Sequence, residues 1–305
     1  MARRKSGRDI NGILLFDKPI GMSSNAVLQR VKRIFNARKA GHTGSLDPLA
    51  TGLLPICLGE ATKMSGFLLD ADKRYQVTIK LGIKTTTGDA EGETIQTRVV
   101  GEYSDEALEL VLAEFLGEIE QIPPMHSALK QNGQPLYKLA RKGIEVERKS
   151  RDITIHSIEV LAAEGDLLTL DVHCSKGTYI RTLAEDIGER LGCGAHVAVL
   201  RRLSVGPFSG DRMITPVQLA HIAEEGGSDA LDQLLQPMET ALIHWPEVTL
   251  TQEATFFLKR GQAVVVPHAP REGLVKLFAE ENVFLGVGYI MDDGRVAPKR
   301  LLNSA

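Results

Sequence analysis

One carboxylate in this chain sits in a distinctive mount. Between Gly41 and Gly52 runs GHTGSLDPLATG, with Asp47 flanked by Leu46 and Pro48. Glycine permits close backbone approach and positive φ, and a proline fixes its own φ while pushing the residue before it toward extended geometry. His42, Thr43 and Ser45 place hydrogen-bond donors beside the acid. Two further residues have the right types to work with it. Arg181, in GTYIRTL, could keep a nucleophilic carboxylate ionised and fix its orientation. Tyr75, opening the run RYQVTIKLG, offers a stacking face and a polar tip. Each also has a plainer reading: an Asp-Pro turn, a core-edge aromatic, a surface helix arginine. Spacing alone does not show that the three meet.

Metal and phosphate chemistry fit less well. Cys193-Gly-Ala-His196 has a C-x2-H spacing and His173-Cys174 lies upstream. On a strand, His173 and Cys174 point to opposite faces, so at most three of these four could share one ion. Buried thiols with structural histidines explain them as well. GIKTTTGDAEGE (82–93) lacks both the Lys-Ser/Thr ending of a P-loop and the spaced acids of an EF-hand, and reads as a strand-connecting turn.

The elements around these residues follow from their periodicity. NGILLFDKP (11–19) reads as a short buried strand stopped by Pro19, after which Ser24 can cap a helix over 25–36. An apolar LLPICLG strand and a helix near 60–69 follow the Asp47 loop. RYQVTIKLG alternates, with Tyr75, Val77, Ile79 and Leu81 on one face. A capped acidic helix spans about 104–116, with Leu108, Val111, Leu112 and Phe115 inward. DLLTLDVHC (166–174) predicts a strand, and Leu183, Ile187 and Leu191 a helix. Without regular βαβ alternation, the expectation is α+β with a mixed, largely antiparallel sheet flanked by helices. Residues 123–152, rich in Pro, Gly and basic side chains, form an insertion: a disposable loop or a clamp over a ligand. Beyond Trp245–Pro246 the texture changes to a small β module, with strands near 262–267, 274–278 and 283–290.

Composition narrows the class. The 305 residues are 43% hydrophobic and 25% charged, an ordinary globular balance with room for about two domains. No apolar run reaches membrane-spanning length, and the basic start MARRKSGRDI has no apolar segment behind it. Three cysteines without a CxxC suit reduced thiols, so a cytoplasmic protein is expected. The net charge of −3 conceals segregation. Arg30, Lys32, Arg33, Arg38 and Lys39 cluster without an acid, and Lys138, Arg141, Lys142, Arg148, Lys149 and Arg151 form a second basic group. Residues 101–120 carry seven acids and no Lys or Arg. One basic face with acidic surfaces elsewhere fits a polyanionic partner, as separate solvated helix faces also would.

Five blocks then occur in order: DKPIGMSSN (17–25), GHTGSLDPLATGLLPICLGEATK (41–63), DKRYQ (72–76), CSKGTYIRTL (174–183) and GCGAHVAVLRRL (192–203). Together they resemble the bacterial TruB tRNA pseudouridine synthases along essentially the whole chain. GHTGSLDPLATG is the most specific block; DKPxG alone is shared with other pseudouridine synthase families. Ser45 stands where alanine is frequent. The resemblance implies a pseudouridine synthase fold over 1–245, with 123–152 gripping the tRNA arm, and a PUA-like RNA-binding domain over 246–305. It implies isomerisation of uridine 55 in the tRNA T-loop, without cofactor or metal, by a monomer. By the same resemblance Asp47 is the nucleophile, Tyr75 stacks on the base and takes the C5 proton, and Arg181 pairs with the carboxylate. His42, Tyr179 and Leu200 contact substrate, and Lys18 and Pro19 buttress the loop. Arg141, Lys142 and Arg148 are the candidates for RNA backbone contact. A non-catalytic RNA-binding protein, or a synthase acting on another RNA, remains open at this point.

Overall fold

GILLFDK is apolar along almost its whole length, and the Gly12–Lys18 strand it forms is correspondingly buried on both faces. It pairs antiparallel with Thr51–Leu58, from Gly12 opposite Leu58 to Lys18 opposite Gly52. Ala195–Val205 lies next, meeting Thr51–Leu58 in parallel through two residue pairs, Arg201 with Thr51 and Arg202 with Gly52. Lys73–Leu81, Leu167–Cys174, Arg151–Glu164 and Gly117–Gln121 then follow, each antiparallel to its neighbour. Ala40–His42 and Phe208–Ser209 complete a nine-stranded, mixed, largely antiparallel sheet. The computed structural model describes residues 7–303; the basic start at 1–6 and residues 304–305 lie outside the described residues.

The period-two pattern of Lys73–Leu81 puts Val77, Ile79 and Leu81 on a buried face. Leu183 and Ile187 from the Ile180–Arg190 helix pack there, with Leu108 and Leu112 from Asp105–Ala113. Under the other half of the sheet, Phe16, Leu54 and Ile56 meet Val27 and Val31 of the Ser24–Ile34 helix and Leu219 of Pro216–Asp232. Each fully buried aliphatic or aromatic side chain contributes about 1.5–3 kcal/mol. Ser104 caps its helix by accepting the Ala107 amide, worth about 1 kcal/mol.

Three local expectations change. The cap of the first helix is Ser23, whose extended backbone lets its hydroxyl accept the Ala26 amide; Ser24 is the first helical residue and turns inward. The helix expected near 60–69 is two short pieces, Gly59–Lys63 and Ser65–Leu69. There the Ser65 hydroxyl donates to the Thr62 carbonyl at 2.8 Å, offering that backbone an alternative to a continuous helix. In the tail, 262–267 is not a strand: Val264 makes one isolated bridge to Val296, Val265 is exposed, and Pro267 has no amide to donate. Glu247–Leu250 instead forms the edge of a separate four-stranded sheet with Leu274–Ala279, Val283–Ile290 and Val296–Leu301. This sheet has its own core of Val248, Leu258, Val275, Leu277 and Val296. It is tied to the larger sheet's side by Lys63, which donates to the Leu301 carbonyl, and by Glu60, which accepts the Asn303 amide.

Residues 123–152 hold a two-residue-per-strand hairpin, Lys130–Gln131 with Gln134–Pro135, and the short helix Leu136–Ala140, and their last two residues already belong to the strand Arg151–Glu164. The turn expected at 82–93 links the paired strands Ile83–Thr85 and Thr94–Thr97. No helix among the described residues is long and apolar enough to cross a membrane.

Candidate active site

The Asp47 loop is pinned from beneath. Lys18 is fully buried, and its ammonium donates to the carbonyls of Pro19, Pro48 and Ala50 at 2.9, 3.2 and 2.6 Å. Ser24 Oγ accepts the Leu46 amide at 2.7 Å and donates to the Leu46 carbonyl at 3.0 Å. The Gly21 amide donates to the Pro48 carbonyl. Gly52 closes the loop at φ +95°, where a Cβ would stand 2.3 Å from the Arg202 carbonyl oxygen. Only glycine satisfies both conditions.

Onto this mount comes Arg181, delivered by the first turn of Ile180–Arg190. Its Nη2 lies 3.0 Å from Asp47 Oδ2, with the guanidinium almost wholly buried and the carboxylate 45% exposed. Nη1 donates to the Thr87 carbonyl at 2.8 Å and Nη2 to the His126 carbonyl at 2.7 Å. Asp89 Oδ2 stands 3.7 Å from Nε. The arginine is thus held on three sides, and the acid it orients faces open space. That space is a cavity of about 330 Å³ lined by Asp47, Tyr75, Tyr179, Arg181 and Leu200, so the Asp47 loop, Tyr75 and Arg181 do converge.

Electrostatics differ among the lining groups. Burial raises the Tyr75 phenol above its ordinary pKa, and the neighbouring Arg202 guanidinium opposes that rise. Burial likewise raises Tyr179. The Tyr179 amide donates to Gln121 Oε1 at 2.7 Å, and Gln121 Nε2 donates back to the Tyr179 carbonyl at 3.1 Å.

Other expected residues stand farther back. Lys18 and Pro19 lie under the loop and do not line the cavity. His42, on Ala40–His42, is also outside the lining; its Nδ1 is buried without a partner among the described residues. Burial, then Arg202, lowers its pKa. Arg141 and Lys142 are exposed on the insertion, Arg141 with its guanidinium 5.6 Å from the Tyr137 ring centroid. Arg148 differs from both: it donates to the Pro123 carbonyl at 3.2 Å and pairs with Glu145, tying the two ends of the insertion together.

Three residues here escaped the sequence reading. Asp89 braces Arg181, Lys73 lines the cavity, and Arg202 is among the largest fully buried side chains. Arg201 and Arg202 are adjacent on one strand, so they point oppositely: Arg201 outward to a two-point contact with Asp17, Arg202 into the site. A paired arginine on an apolar strand was the available signal.

The metal alternative dissolves by alternation. Cys174 and Cys193 are buried, the latter's thiol directed at the Gly188 carbonyl, and His196 Nδ1 is 2.8 Å from the Ile83 carbonyl. Burial pushes the Cys57 and Cys174 thiols up to about 12. His173 turns outward, where its ligand atom, that of His156 and a carboxylate oxygen of Asp72 lie within 4.8 Å of one another. His156 and Asp72 already contact each other at 3.1 Å, outside the cavity lining.

Comparison with known proteins finds relatives along the whole chain. Residues 32–180 match the model of the TruB family pseudouridylate synthase N-terminal domain. Residues 181–243 match the tRNA pseudouridylate synthase B C-terminal domain, and 246–302 the pseudouridine synthase II TruB C-terminal model. The chain is 58% identical over 302 residues to the tRNA pseudouridine synthase B of Nitrosococcus oceani, covering 99% of this chain and 98% of that one. It is 57% identical over 309 residues to the protein of that name from Vibrio atlanticus, covering 99% and 97%. Among solved structures it is similar to a chain of an H/ACA RNP bound to a substrate RNA containing 2′-deoxyuridine, with TM-score 0.74, 27% identity and coverage of 100% and 92%. A Cbf5-Nop10-Gar1 complex holds another similar chain, with TM-score 0.73, 30% identity and coverage of 96% and 84%.

Proposed function

The chain belongs to the TruB family of pseudouridylate synthases, and from that footing we propose that it isomerises uridine 55 in the T-loop of tRNA, with Asp47 as nucleophile. The observation that carries this reading is the 3.0 Å contact between Asp47 and Arg181 on the wall of a cavity that Tyr75 also lines. A uridine inside a folded loop is unreachable until it is flipped out, and a flipped base needs a stacking partner and a closed pocket. Tyr75 supplies the stacking face, with Tyr179 and Leu200 around it.

The isomerisation breaks the N1–C1′ bond, turns the uracil and forms C5–C1′. A nucleophilic carboxylate divides that exchange into two easier steps. Asp47 begins it, Arg181 keeps the carboxylate aimed, and Tyr75 relays the proton that C5 gives up, taking it as the phenol passes its own on toward N1. The proton balance closes within the base, so the scheme needs no cofactor or metal. Residues 1–245 form the catalytic domain in this reading, with 123–152 gripping the tRNA arm. Arg141 and Lys142 contact phosphate, and Arg148 holds the insertion's ends. Residues 246–305 act as a PUA-like RNA-binding domain, and the protein works as a cytoplasmic monomer.

The test is to incubate unmodified tRNA with the protein alone and map new pseudouridine. One product at position 55 is expected. Asp47→Asn is expected to bind tRNA and leave uridine unchanged; normal product formation by that variant overturns the nucleophile assignment.

A further inference from the structure

Besides Arg181, three cations among the described residues are buried around the cavity, and all three are held by backbone carbonyls. Lys18 donates to Pro19, Pro48 and Ala50 as described. Lys73 donates to the carbonyls of Leu69 and Leu68, at 2.7 and 3.4 Å, and to that of Ala71. Arg202 donates from Nε to Leu53 at 2.7 Å and from Nη2 to Gly44 at 3.2 Å. Among the described residues none of the three forms an ion pair with a carboxylate. Arg181 differs, since it carries both Asp47 and Asp89. The charged groups lining the cavity are therefore Lys73, Arg181 and Arg202 against the single carboxylate of Asp47.

Burying a cation without a counter-charge is costly, and carbonyl dipoles offset only part of the lost hydration. Such an arrangement persists where a negative charge arrives from elsewhere. Uridine isomerisation supplies one. When N1–C1′ breaks, its electron pair stays with the uracil, which becomes an anion spread over N1 and the ring carbonyls. When C5–C1′ forms, the pair returns through C5, the bond from C1′ to the Asp47 oxygen breaks and restores the carboxylate, the C5 proton leaves to a base and N1 takes one up, so no outside oxidant or reductant enters. We propose that Lys73 and Arg202 are charge-stabilising groups of this site, whose positive field steadies the detached uracil as an anion between bond cleavage and rejoining. The inference rests on the proposed uridine isomerisation and assigns the fate of the leaving group within it.

Burial lowers the Lys73 pKa to about 8. The groups bearing on it are Arg202, which lowers it further, and Cys174, Asp72 and Asp70, which raise it. Its charge is thus poised to respond to what occupies the cavity.

The experiment uses the full chain and two RNAs, carrying uridine or 5-fluorouridine at the target, at mildly acidic pH where both bases are neutral, and reads cleavage of N1–C1′ in each, because fluorine stands where uridine carries the C5 proton and blocks the last step. Fluorine makes the uracil anion more stable by itself, so it lessens the need for help. Lys73→Met is expected to slow single-turnover conversion of the uridine RNA about 10²-fold, the usual cost of losing one charge-stabilising donor. Its RNA affinity is expected to hold, and the slowing with 5-fluorouridine to be clearly smaller. Arg202→Lys is expected to retain more rate than Arg202→Gln. An unchanged rate in Lys73→Met, or equal slowing with both RNAs, overturns the inference. A second measurement needs no variant. Free barbiturate, an anion shaped like uracil, is expected to inhibit the wild-type enzyme at a lower concentration than neutral uracil; equal inhibition overturns the inference. A wild-type protein that leaves tRNA uridine unchanged overturns the functional reading instead.

Discussion

Ser24 and Leu46 exchange two hydrogen bonds through one hydroxyl, which accepts the Leu46 amide at 2.7 Å and donates to its carbonyl at 3.0 Å. Leu46 immediately precedes Asp47, so the first helix grips the backbone of the proposed nucleophile. Removing the hydroxyl leaves a buried amide and carbonyl unpaired, at a cost of about 1–3 kcal/mol. Ser24→Ala is therefore expected to lower the melting temperature and slow single-turnover product formation while tRNA affinity holds. Denaturant titration and a rapid-quench assay check both.

Arg181 uses its planar fork in three directions, toward Asp47, Thr87 and His126. A lysine is a point charge on a flexible stem and cannot hold that geometry. Arg181→Lys is expected to reduce the single-turnover rate roughly 10²–10³-fold, the cost of losing an aligned polar group in a preorganised site. A rate within a few-fold of wild type would remove Arg181 from the proposed scheme.

Lys18 yields a pH prediction whose sign is fixed by its burial. Desolvation lowers its pKa from 10.5 to about 8, opposed chiefly by Asp47. Below about 8 the folded and unfolded chains both hold the proton; between about 8 and 10.5 the unfolded chain holds more. Stability from this group therefore rises with pH across that window. Measured against Lys18→Met, the wild type is expected to gain in melting temperature as pH increases through it. A pH-independent difference between the two proteins contradicts the assignment.

Cys57 and Cys174 are buried thiols whose pKa burial drives up to about 12. The thiolate is the reactive form. Both are expected to resist iodoacetamide at neutral pH in the native protein and to react once denaturant is added, as read by mass spectrometry of the peptides.

Arg141 and Lys142 are exposed, while Arg148 is engaged with Pro123 and Glu145. Neutralising Arg141 or Lys142 is expected to reduce the slope of log affinity against log salt by roughly 1 for each phosphate that side chain neutralises. Arg148→Gln is expected to disturb the insertion's protease resistance more than the salt slope. Filter binding at several salt concentrations, with limited proteolysis, separates the two.

What the sequence disclosed depended on how local each determinant is. The alternation of Val77, Ile79 and Leu81 lies within one strand, so that strand and its buried face were readable directly. The Asp47 loop was readable because Gly52 and Pro48 impose backbone geometry by themselves. The Ser23 cap was missed by one residue because two adjacent serines offer the same side chain, and only a partner 22 positions away draws Ser24 inward. Which of Arg201 and Arg202 turns inward was hidden for a stronger version of that reason. The Arg202 acceptor at Leu53 is 149 positions distant, and nothing in LRRL says which arginine turns in. Lys73 was hidden because its acceptors, Leu68, Leu69 and Ala71, are backbone carbonyls, which leave no mark on residue type. The tail's first strand, Glu247–Leu250, was too short to show a period.

Between Thr51–Leu58 and Ala195–Val205 the large sheet is joined by a narrow parallel seam, Arg201 with Thr51 and Arg202 with Gly52, with three strands on one side and six on the other. Antiparallel pairings to either side are several times longer. The sheet therefore behaves under load like a plate with a scored line, and the scoring runs beside the proposed nucleophile. Pulled from opposite edges, the two halves are expected to part first at Gly52, disabling the loop while both flanking ladders still hold.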